Sequence, residues 1–384
     1  MNNMNFPLMR GKATKQPHVA LPEGSFEEEH GREGFFGRVS HLYHAHPPTG
    51  WTRIEGPLRP HAFYLDKIEP SDMKDPNGLP TPILYNDDLI VFISKRTEPH
   101  TAYFRNADGD LLYFIHKGEG YFETDFGTMS FEKGDYIVIP RATTYRMIPK
   151  TKDNFFVMVE AHSEILPPTP EMKGLMGMHA LYDMGAVGLP EFSEYQKPVK
   201  PETKEYEIRI KRLGEWTSVF YPFNPIDLVG WRGDLTVFKI NMRDIRPVMS
   251  PRVHLPPPVH TTFLAKNFVI CSFLPRPLEE DKDTLKVPFY HRNSDYDEVL
   301  FYHDGDFFSR DNIEAAMMTL HPQGIHHGPH PKALRNQDKL TRTNEEAMMI
   351  DTHSPLNIAP AAEAVEWKEY WASWKEKDSL TETK

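Results

Sequence analysis

Proline is the residue that most restricts the fold of this chain, because 35 of its 384 residues are proline. The proline ring removes a backbone N–H, so it breaks the interior of helices and the ladders of central strands. A chain with this much proline has little room for long helices and many places for turns and strand ends. The sequence therefore predicts a mainly β fold.

Short apolar runs separated by glycine-containing turns support that prediction. They lie at residues 89–93, 112–115, 120–124, 136–140 and 155–159. Frequent short strands of this kind are typical of a β-sandwich or barrel. A second β region is expected from about residue 216 to about 354. The predicted division is an N-terminal arm and metal-free barrel at 1–165, a connecting segment at 166–215, and a second barrel at 216–384.

The two ends of the chain carry separate predictions. The first 60 residues show little periodicity, and we expect them to form an irregular arm that wraps a partner surface. Near the C-terminus, apolar residues at 367, 370, 371 and 374 follow the three-and-four spacing of an amphipathic helix. We expect this helix, over residues 361–374, to pack on a barrel or on a neighbouring subunit.

Charge and cysteine content exclude several classes of protein. A net charge of −11 argues against a broad nucleic-acid surface, which requires clustered Lys and Arg. No apolar stretch approaches the ~20 residues of a membrane span, and the N-terminus lacks the pattern of a secretion signal. Cys271 is the single cysteine, so no internal disulfide can form and a reducing compartment is natural. We expect a cytoplasmic protein without nucleic-acid or membrane partners.

A candidate metal motif begins at His291. The segment from His291 to Gly305 has the pattern strand, turn, strand, and Glu298 lies at the start of the second strand. This resembles the first metal motif of a cupin barrel, in which two histidines one residue apart are followed by a glutamate, six residues and a glycine. Glu298 and Gly305 keep that spacing, whereas Asn293 occupies the position of the second histidine. Asp297 is the competing carboxylate, but strand alternation turns it to the opposite face.

The second half of such a motif supplies one more histidine, and residues 320–331 offer several. His326 and His327 point in different directions in an extended segment, so at most one of them faces a metal. We select His327, with His321 as a neighbouring group in the pocket, and expect His303 and His330 at the surface. Two histidines and one carboxylate form the ligand set of non-haem Fe(II) oxygenases, which leaves coordination positions open.

Four stretches of the chain resemble the homogentisate 1,2-dioxygenase family. They are residues 225–234, 254–259, 288–293 and 321–329. The resemblance implies that His291, Glu298 and His327 bind Fe(II), and that His254 hydrogen-bonds the substrate and acts as a base.

The same resemblance suggests residues that contact substrate. His321 corresponds to another active-site histidine of the family, and Phe307 stands where the family has a substrate-contacting tyrosine. Together with Asn293, these are the predicted substrate-binding residues.

The family's fold and reaction then become expectations for this chain. They are a bicupin with iron in the C-terminal barrel, assembled as a trimer or hexamer, that uses O₂ to convert homogentisate to maleylacetoacetate in tyrosine and phenylalanine catabolism. Two alternatives stay open. One is a dioxygenase for another para-diol, such as gentisate or a substituted homogentisate, and the other is a non-catalytic metal-binding bicupin comparable to pirin-like proteins.

Overall fold

The computed structural model of the chain describes residues 8–35, 37–169, 181–192, 205–310 and 312–375. Strands predominate in these ranges. The strands are β1 (Phe26–Gly31), β2 (Val39–His44), β3 (His61–Tyr64), β4 (Thr81–Tyr85), β5 (Leu89–Ser94), β6 (Tyr103–Asn106), β7 (Asp110–Lys117), β8 (Gly120–Thr124), β9 (Gly127–Phe131), β10 (Asp135–Ile139), β11 (Thr144–Pro149), β12 (Phe155–Ala161), β13 (Tyr206–Arg212), β14 (Glu215–Tyr221), β15 (Phe238–Asn241), β16 (Thr261–Ala265), β17 (Phe268–Phe273), β18 (Tyr290–Asn293), β19 (Asp297–Asp304), β20 (Met317–His321), β21 (Glu346–Thr352) and β22 (Asn357–Ile358).

Helical structure is short wherever the chain is described. The α-helices are α1 (Pro331–Asn336) and α2 (Pro360–Glu363), each with a proline in its first turn. The 3₁₀ turns are Leu65–Lys67, Ser71–Met73, Met184–Ala186, Met242–Asp244, Pro257–His260, Gln337–Lys339 and Tyr370–Trp374. No helix within the described residues is both long enough and apolar enough to span a membrane.

The N-terminal barrel consists of two sheets that face each other. One has the strand order β15-β10-β7-β12-β5-β4-β22, and the other has the order β14-β13-β6-β11-β8-β9. Strand β7 explains why the runs in this region are almost continuously apolar. Its residues Leu111, Tyr113 and Ile115 face the core between these two sheets, whereas Leu112 and Phe114 face a second core on the other side. Alternation along the strand serves both cores.

The second core joins the two barrels. It packs the seven-stranded sheet of the N-terminal barrel against a six-stranded sheet with the order β16-β17-β21-β19-β20-β3. A three-stranded sheet, β18-β1-β2, lies beside that second sheet in the C-terminal barrel. The prediction of a mainly β, bicupin fold with a C-terminal helix is therefore confirmed, although the helix is short. The N-terminal arm is less irregular than predicted, because it contains β1 and β2.

Several strands belong to a barrel to which the division at residues 165 and 216 did not assign them. Strands β13 and β15 pair with β6 and β10 of the N-terminal barrel, whereas arm strands β1 and β3 pair with β18 and β20 of the C-terminal barrel. Each exchange gives an edge strand a partner that is remote in sequence, which the period of a strand cannot reveal. Residues 170–180 and 193–204 of the predicted connecting segment lie outside the described residues.

The C-terminal segment packs on the barrel, but not as one continuous helix. Helix α2 ends at Glu363, and a separate 3₁₀ turn at Tyr370–Trp374 follows. The aromatic rings of Tyr370 and Trp374 are buried against Ala62, Tyr302 and Met317. Burial of these rings, and not a long helical period, holds the segment in place.

Candidate metal centre

Three segments of the C-terminal barrel bring His291, Glu298 and His327 together. His291 lies on β18, Glu298 is the second residue of β19, and His327 lies in an extended segment that exchanges two backbone hydrogen bonds with His291. Nε2 of His291 and Nε2 of His327 are 3.3 Å and 3.5 Å from the same Glu298 oxygen, Oε2. All three side chains are buried.

A backbone carbonyl lies close to Nδ1 of each imidazole. Nδ1 of His291 donates to the carbonyl oxygen of Phe289 at 3.0 Å, and Nδ1 of His327 points to that of Ile325 at 3.4 Å. Each carbonyl lies two residues before its histidine, which leaves both Nε2 atoms facing Glu298. Such a bond to one ring nitrogen selects the tautomer that presents the other nitrogen to a metal.

Charge and protonation also suit a cation. Burial raises the pKa of Glu298, but the neighbouring histidines outweigh this effect and hold the pKa well below its ordinary value. Burial lowers the pKa of His327 to about 3, so its ring is neutral at pH 7. The centre therefore presents an anionic carboxylate and a neutral imidazole, which are the protonation states that metal ligands require.

The donor set fits a divalent transition metal. One ligand atom from each of the three residues lies within 4.8 Å of the other two, and Nε2 of His327 has no hydrogen-bond partner in the part of the chain that the structure describes. An unpaired polar atom this deeply buried is costly unless something binds it. Asp297 is turned away, because its carboxylate accepts from the backbone N–H groups of Gln323 and Leu356.

His321 supports the centre through Glu298. Its Nδ1 donates to Glu298 Oε1 at 2.7 Å, and its Nε2 accepts from the Tyr370 hydroxyl at 3.1 Å. Both ring nitrogens are therefore occupied, and the side chain is 0% exposed. Contact with substrate was predicted for this residue, whereas the structure shows its ring hydrogen-bonded to the carboxylate of Glu298 and to the Tyr370 hydroxyl.

A cavity opens on the other side of His291 and Glu298. His254, Tyr302 and Phe289 are among its lining residues. The Nδ1 atom of His254 lies 2.9 Å from Glu279 Oε1, and this hydrogen bond fixes the orientation of the ring. Glu279 does not engage the Nε2 atom. Burial lowers the pKa of His254, which keeps the ring neutral at pH 7.

The other two predicted substrate-binding residues do not line this cavity. The Phe307 ring packs edge-on against Tyr302 with 4.8 Å between centroids, and the neighbouring Phe308 lines the cavity instead. Asn293 is buried on β18, where its carbonyl accepts from Gly324. The structure thus brings His254 to the cavity with His291 and Glu298, but not His321, Asn293 or Phe307.

The sequence analysis did not predict several residues that line the cavity. Arg276, Lys286 and Arg310 give it three basic side chains. The Arg310 guanidinium is 3.9 Å from Glu298 Oε1 and donates to the carbonyl oxygen of Gly328. These residues come from loops without a recognisable motif. The only sequence feature that could have indicated Arg310 is its place in the run Phe-Phe-Ser-Arg shortly after Gly305. Glu298 and Glu345 also line the cavity, but the three basic side chains outnumber these two carboxyl groups, which favours an anionic ligand.

Comparison with known proteins places these observations in a family. Residues 86–242 match the family model described as homogentisate 1,2-dioxygenase N-terminal. A protein of Saccharolobus solfataricus, named as an inferred dioxygenase, is 31% identical over 97% of this chain and 99% of its own length. The homogentisate 1,2-dioxygenase of Bradyrhizobium diazoefficiens is 27% identical over 71% of this chain, and the match covers 62% of that enzyme.

Solved structures resemble the chain more distantly. A cupin barrel protein from Leptotrichia buccalis aligns with 72% of this chain and 88% of its own length, at 11% identity and a TM-score of 0.31. The chain thus matches a relative of its own length along almost its whole sequence, and it spans about three fifths of the bacterial homogentisate 1,2-dioxygenase.

Proposed function

Because this chain belongs to the homogentisate 1,2-dioxygenase family, we propose that it is an Fe(II)-dependent ring-cleaving dioxygenase in which His291, Glu298 and His327 hold the iron. The observation that carries the proposal is the convergence of two imidazole Nε2 atoms on one carboxylate oxygen beside a cavity. Bound iron would supply open coordination positions for an aromatic diol and O₂.

His254 is proposed as the base. Its ring is neutral at pH 7 because burial lowers its pKa, and Glu279 fixes its orientation through Nδ1. A neutral imidazole held in a cavity wall can accept a proton from a ring hydroxyl of the substrate. Glu279 then stabilises the protonated ring that results.

The basic lining supports a substrate with an acidic side chain. Arg276, Lys286 and Arg310 surround the same cavity as His254, and a carboxylate is the kind of group that arginine binds in a bidentate manner. We propose homogentisate, which bears an acetate group, as the substrate and maleylacetoacetate as the product, in tyrosine and phenylalanine catabolism. Gentisate is also an anion, so the choice between the two diols depends on how far the carboxylate reaches from the ring.

Oxygen uptake by anaerobically Fe(II)-loaded protein tests this proposal. We expect rapid uptake with homogentisate, slower uptake with gentisate, and no uptake by His327→Ala with either diol. The ring-cleaved product would be followed by absorbance. Uptake with gentisate alone would change the substrate, whereas no uptake with either diol or with a substituted homogentisate would favour a non-catalytic metal-binding protein.

Assembly is part of the same proposal. We expect a homo-oligomer, a trimer or a hexamer, as the family resemblance implies. Light scattering on the eluting protein would measure the mass directly, and a monomer would contradict the expectation.

A further inference from the structure

Three consecutive glutamates are buried in the arm strand β1. The exposed fractions of Glu27, Glu28 and Glu29 are only 2%, 0% and 8%. Buried carboxylates are costly unless positive charge or hydrogen bonds compensate them. The neighbours of each glutamate therefore show whether protein groups compensate its carboxylate.

Glu28 points to one face of β1, where it has basic partners. Its oxygens lie 2.6 Å from Nε2 of His44, 3.1 Å from Nε2 of His326 and 3.3 Å from Nε of Arg292. These contacts hold the pKa of Glu28 at about 2 against the opposing effect of burial. Basic side chains of the protein therefore compensate the charge of the Glu28 carboxylate.

Glu27 points to the opposite face, where it hydrogen-bonds His18 and lies close to His41. Its carboxylate lies 2.9 Å from Nδ1 of His18 and 3.5 Å from Nδ1 of His41, and it also accepts from the Tyr43 hydroxyl at 3.1 Å. The His18 ring is held further by stacking on Phe289, with 4.3 Å between centroids and 12° between planes. Nδ1 of His18 is thus engaged, whereas Nδ1 of His41 is buried and has no hydrogen-bond partner among the described residues.

Glu29 lies beside these two histidines. It lies on the same face as Glu27 because side chains alternate along a strand, and it is the cross-strand partner of His41. Its Oε2 atom is 3.9 Å from Nε2 of His41, which is beyond hydrogen-bonding distance. Among the described residues, one ligand atom each from His18, Glu29 and His41 lies within 4.8 Å of the other two.

We propose that His18, Glu29 and His41 form a second metal site, which takes a divalent transition metal such as Zn²⁺ and is separate from the centre at His291. Imidazole and carboxylate are suitable ligands for Zn²⁺, and Glu27 is the outer carboxylate that metal-bound histidines commonly hydrogen-bond. Three atoms separated by at most 4.8 Å lie within about 2.8 Å of a common centre. Small side-chain rotations bring them to the ~2.0–2.2 Å of zinc bonds.

The site connects the arm to the wall of the cavity. All three ligands come from the first 44 residues, and β1 pairs with β18 so that Glu29 is the neighbour of His291. The stacked pair of His18 and Phe289 reaches the cavity, since Phe289 lines it. Metal in this site would fix the arm in place without contributing ligands to the other centre.

Metal stoichiometry tests the inference independently of the proposed dioxygenase activity. The full chain would be stripped with a chelator, titrated with Zn²⁺ by calorimetry, and analysed for bound metal after dialysis. We expect two Zn²⁺ per wild-type chain, one in Glu29→Gln and one in His327→Ala. His46→Ala, which changes an exposed histidine close to His41 in sequence, is the matched control and keeps two.

Glu27→Gln tests the positioning role. It should retain both ions at saturating Zn²⁺ but bind one of them about 10- to 100-fold more weakly, because an outer carboxylate orients its histidines. Circular dichroism would verify that each variant is folded. The inference is overturned if the wild-type chain binds one ion that His327→Ala removes, or if folded Glu29→Gln still binds two.

Discussion

Glu298 shows at the scale of single residues how one carboxylate organises the centre. His291 and His327 approach its Oε2 atom, while His321 donates to its Oε1 atom at 2.7 Å and Arg310 lies 3.9 Å from the same oxygen. One oxygen is thus directed to the proposed metal, and the other is held by protein groups. The position of His321 leads to a prediction that differs from a role in substrate binding.

Replacing His321 should weaken iron binding and leave substrate affinity unchanged. Loss of a hydrogen-bond donor to a metal-bound carboxylate typically lowers metal affinity about 10- to 100-fold. We expect that loss for His321→Ala, and a smaller one for Tyr370→Phe, which removes only the hydroxyl that reaches Nε2. Competition with an Fe(II) chelator under anaerobic conditions measures the affinity. An unchanged affinity with a raised KM would instead support direct contact with substrate.

His254→Ala should retain iron and lose turnover by about 10²- to 10⁴-fold, the usual contribution of a general base. The pH dependence of activity gives a second test of this role. Burial lowers the pKa of His254, and the hydrogen bond to Glu279 partly opposes this shift. Activity that needs the neutral ring is lost as pH falls through this pKa, so Glu279→Gln should move the acid limb to lower pH. Loss of iron from His254→Ala would contradict the assignment.

At the scale of elements, β19 serves two environments by alternation. Glu298, Leu300 and Tyr302 face the cavity, whereas Val299 and Phe301 face the core between the barrels. The alternation that separated Asp297 from Glu298 in the sequence therefore has its expected structural basis. The same period places His303 on the side of the barrel interface, so the prediction that His303 lies at the surface is wrong.

The C-terminal turn has a comparable role behind the centre. Trp374 is buried, its Nε1 donates to the carbonyl oxygen of Gly328, and its ring lies edge-on to His330 at 4.4 Å. His330 is thereby buried, which corrects its predicted surface position. The turn covers the segment that carries His327.

Truncating Trp374 should destabilise the C-terminal barrel. Removing a buried tryptophan leaves a cavity and typically costs about 3–5 kcal/mol in the free energy of unfolding. Chemical denaturation of Trp374→Ala would measure the loss, with Phe220→Ala as the control because Phe220 is 57% exposed. We expect the control to change stability by less than about 0.5 kcal/mol. Equal effects of the two substitutions would show that the turn does not hold the barrel.

At the scale of the whole molecule, the barrels are joined by an apolar core that includes a pair of histidines. His116 on β7 and His303 on β19 approach each other with 2.9 Å between their Nδ1 atoms. Burial, together with nearby positive groups, lowers the pKa of His116 to about 4 and that of His303 to about 3. Both rings are therefore neutral at pH 7 in the folded protein.

This pair should make stability depend on pH below the ordinary histidine pKa. The unfolded chain binds protons near pH 6.5 and the folded pair does not, so the free energy of unfolding falls as pH decreases below 6.5. Between pH 6.5 and about pH 4.5, we expect the free energy of unfolding of His303→Asn to fall by about 2 kcal/mol less than that of the wild type. His353→Asn, at an exposed histidine, is the control. Identical pH dependence of wild type and His303→Asn would refute this role.

The sequence by itself determined the features that depend on residues close together along the chain. Proline content and short apolar runs indicated the mainly β fold, and the interval from Glu298 to Gly305 selected the carboxylate that the structure brings to His291 and His327. Strand period and turn spacing are local properties of the backbone, so they can be read along one segment.

Only the tertiary structure decided which remote segments meet. Arg276 and Arg310 reach the cavity, Phe307 does not, and His18 of the arm stacks on Phe289. Strand β13 completes the first barrel although it lies beyond the predicted boundary. These outcomes depend on long-range strand pairing and on burial from several directions, which no single stretch of sequence records.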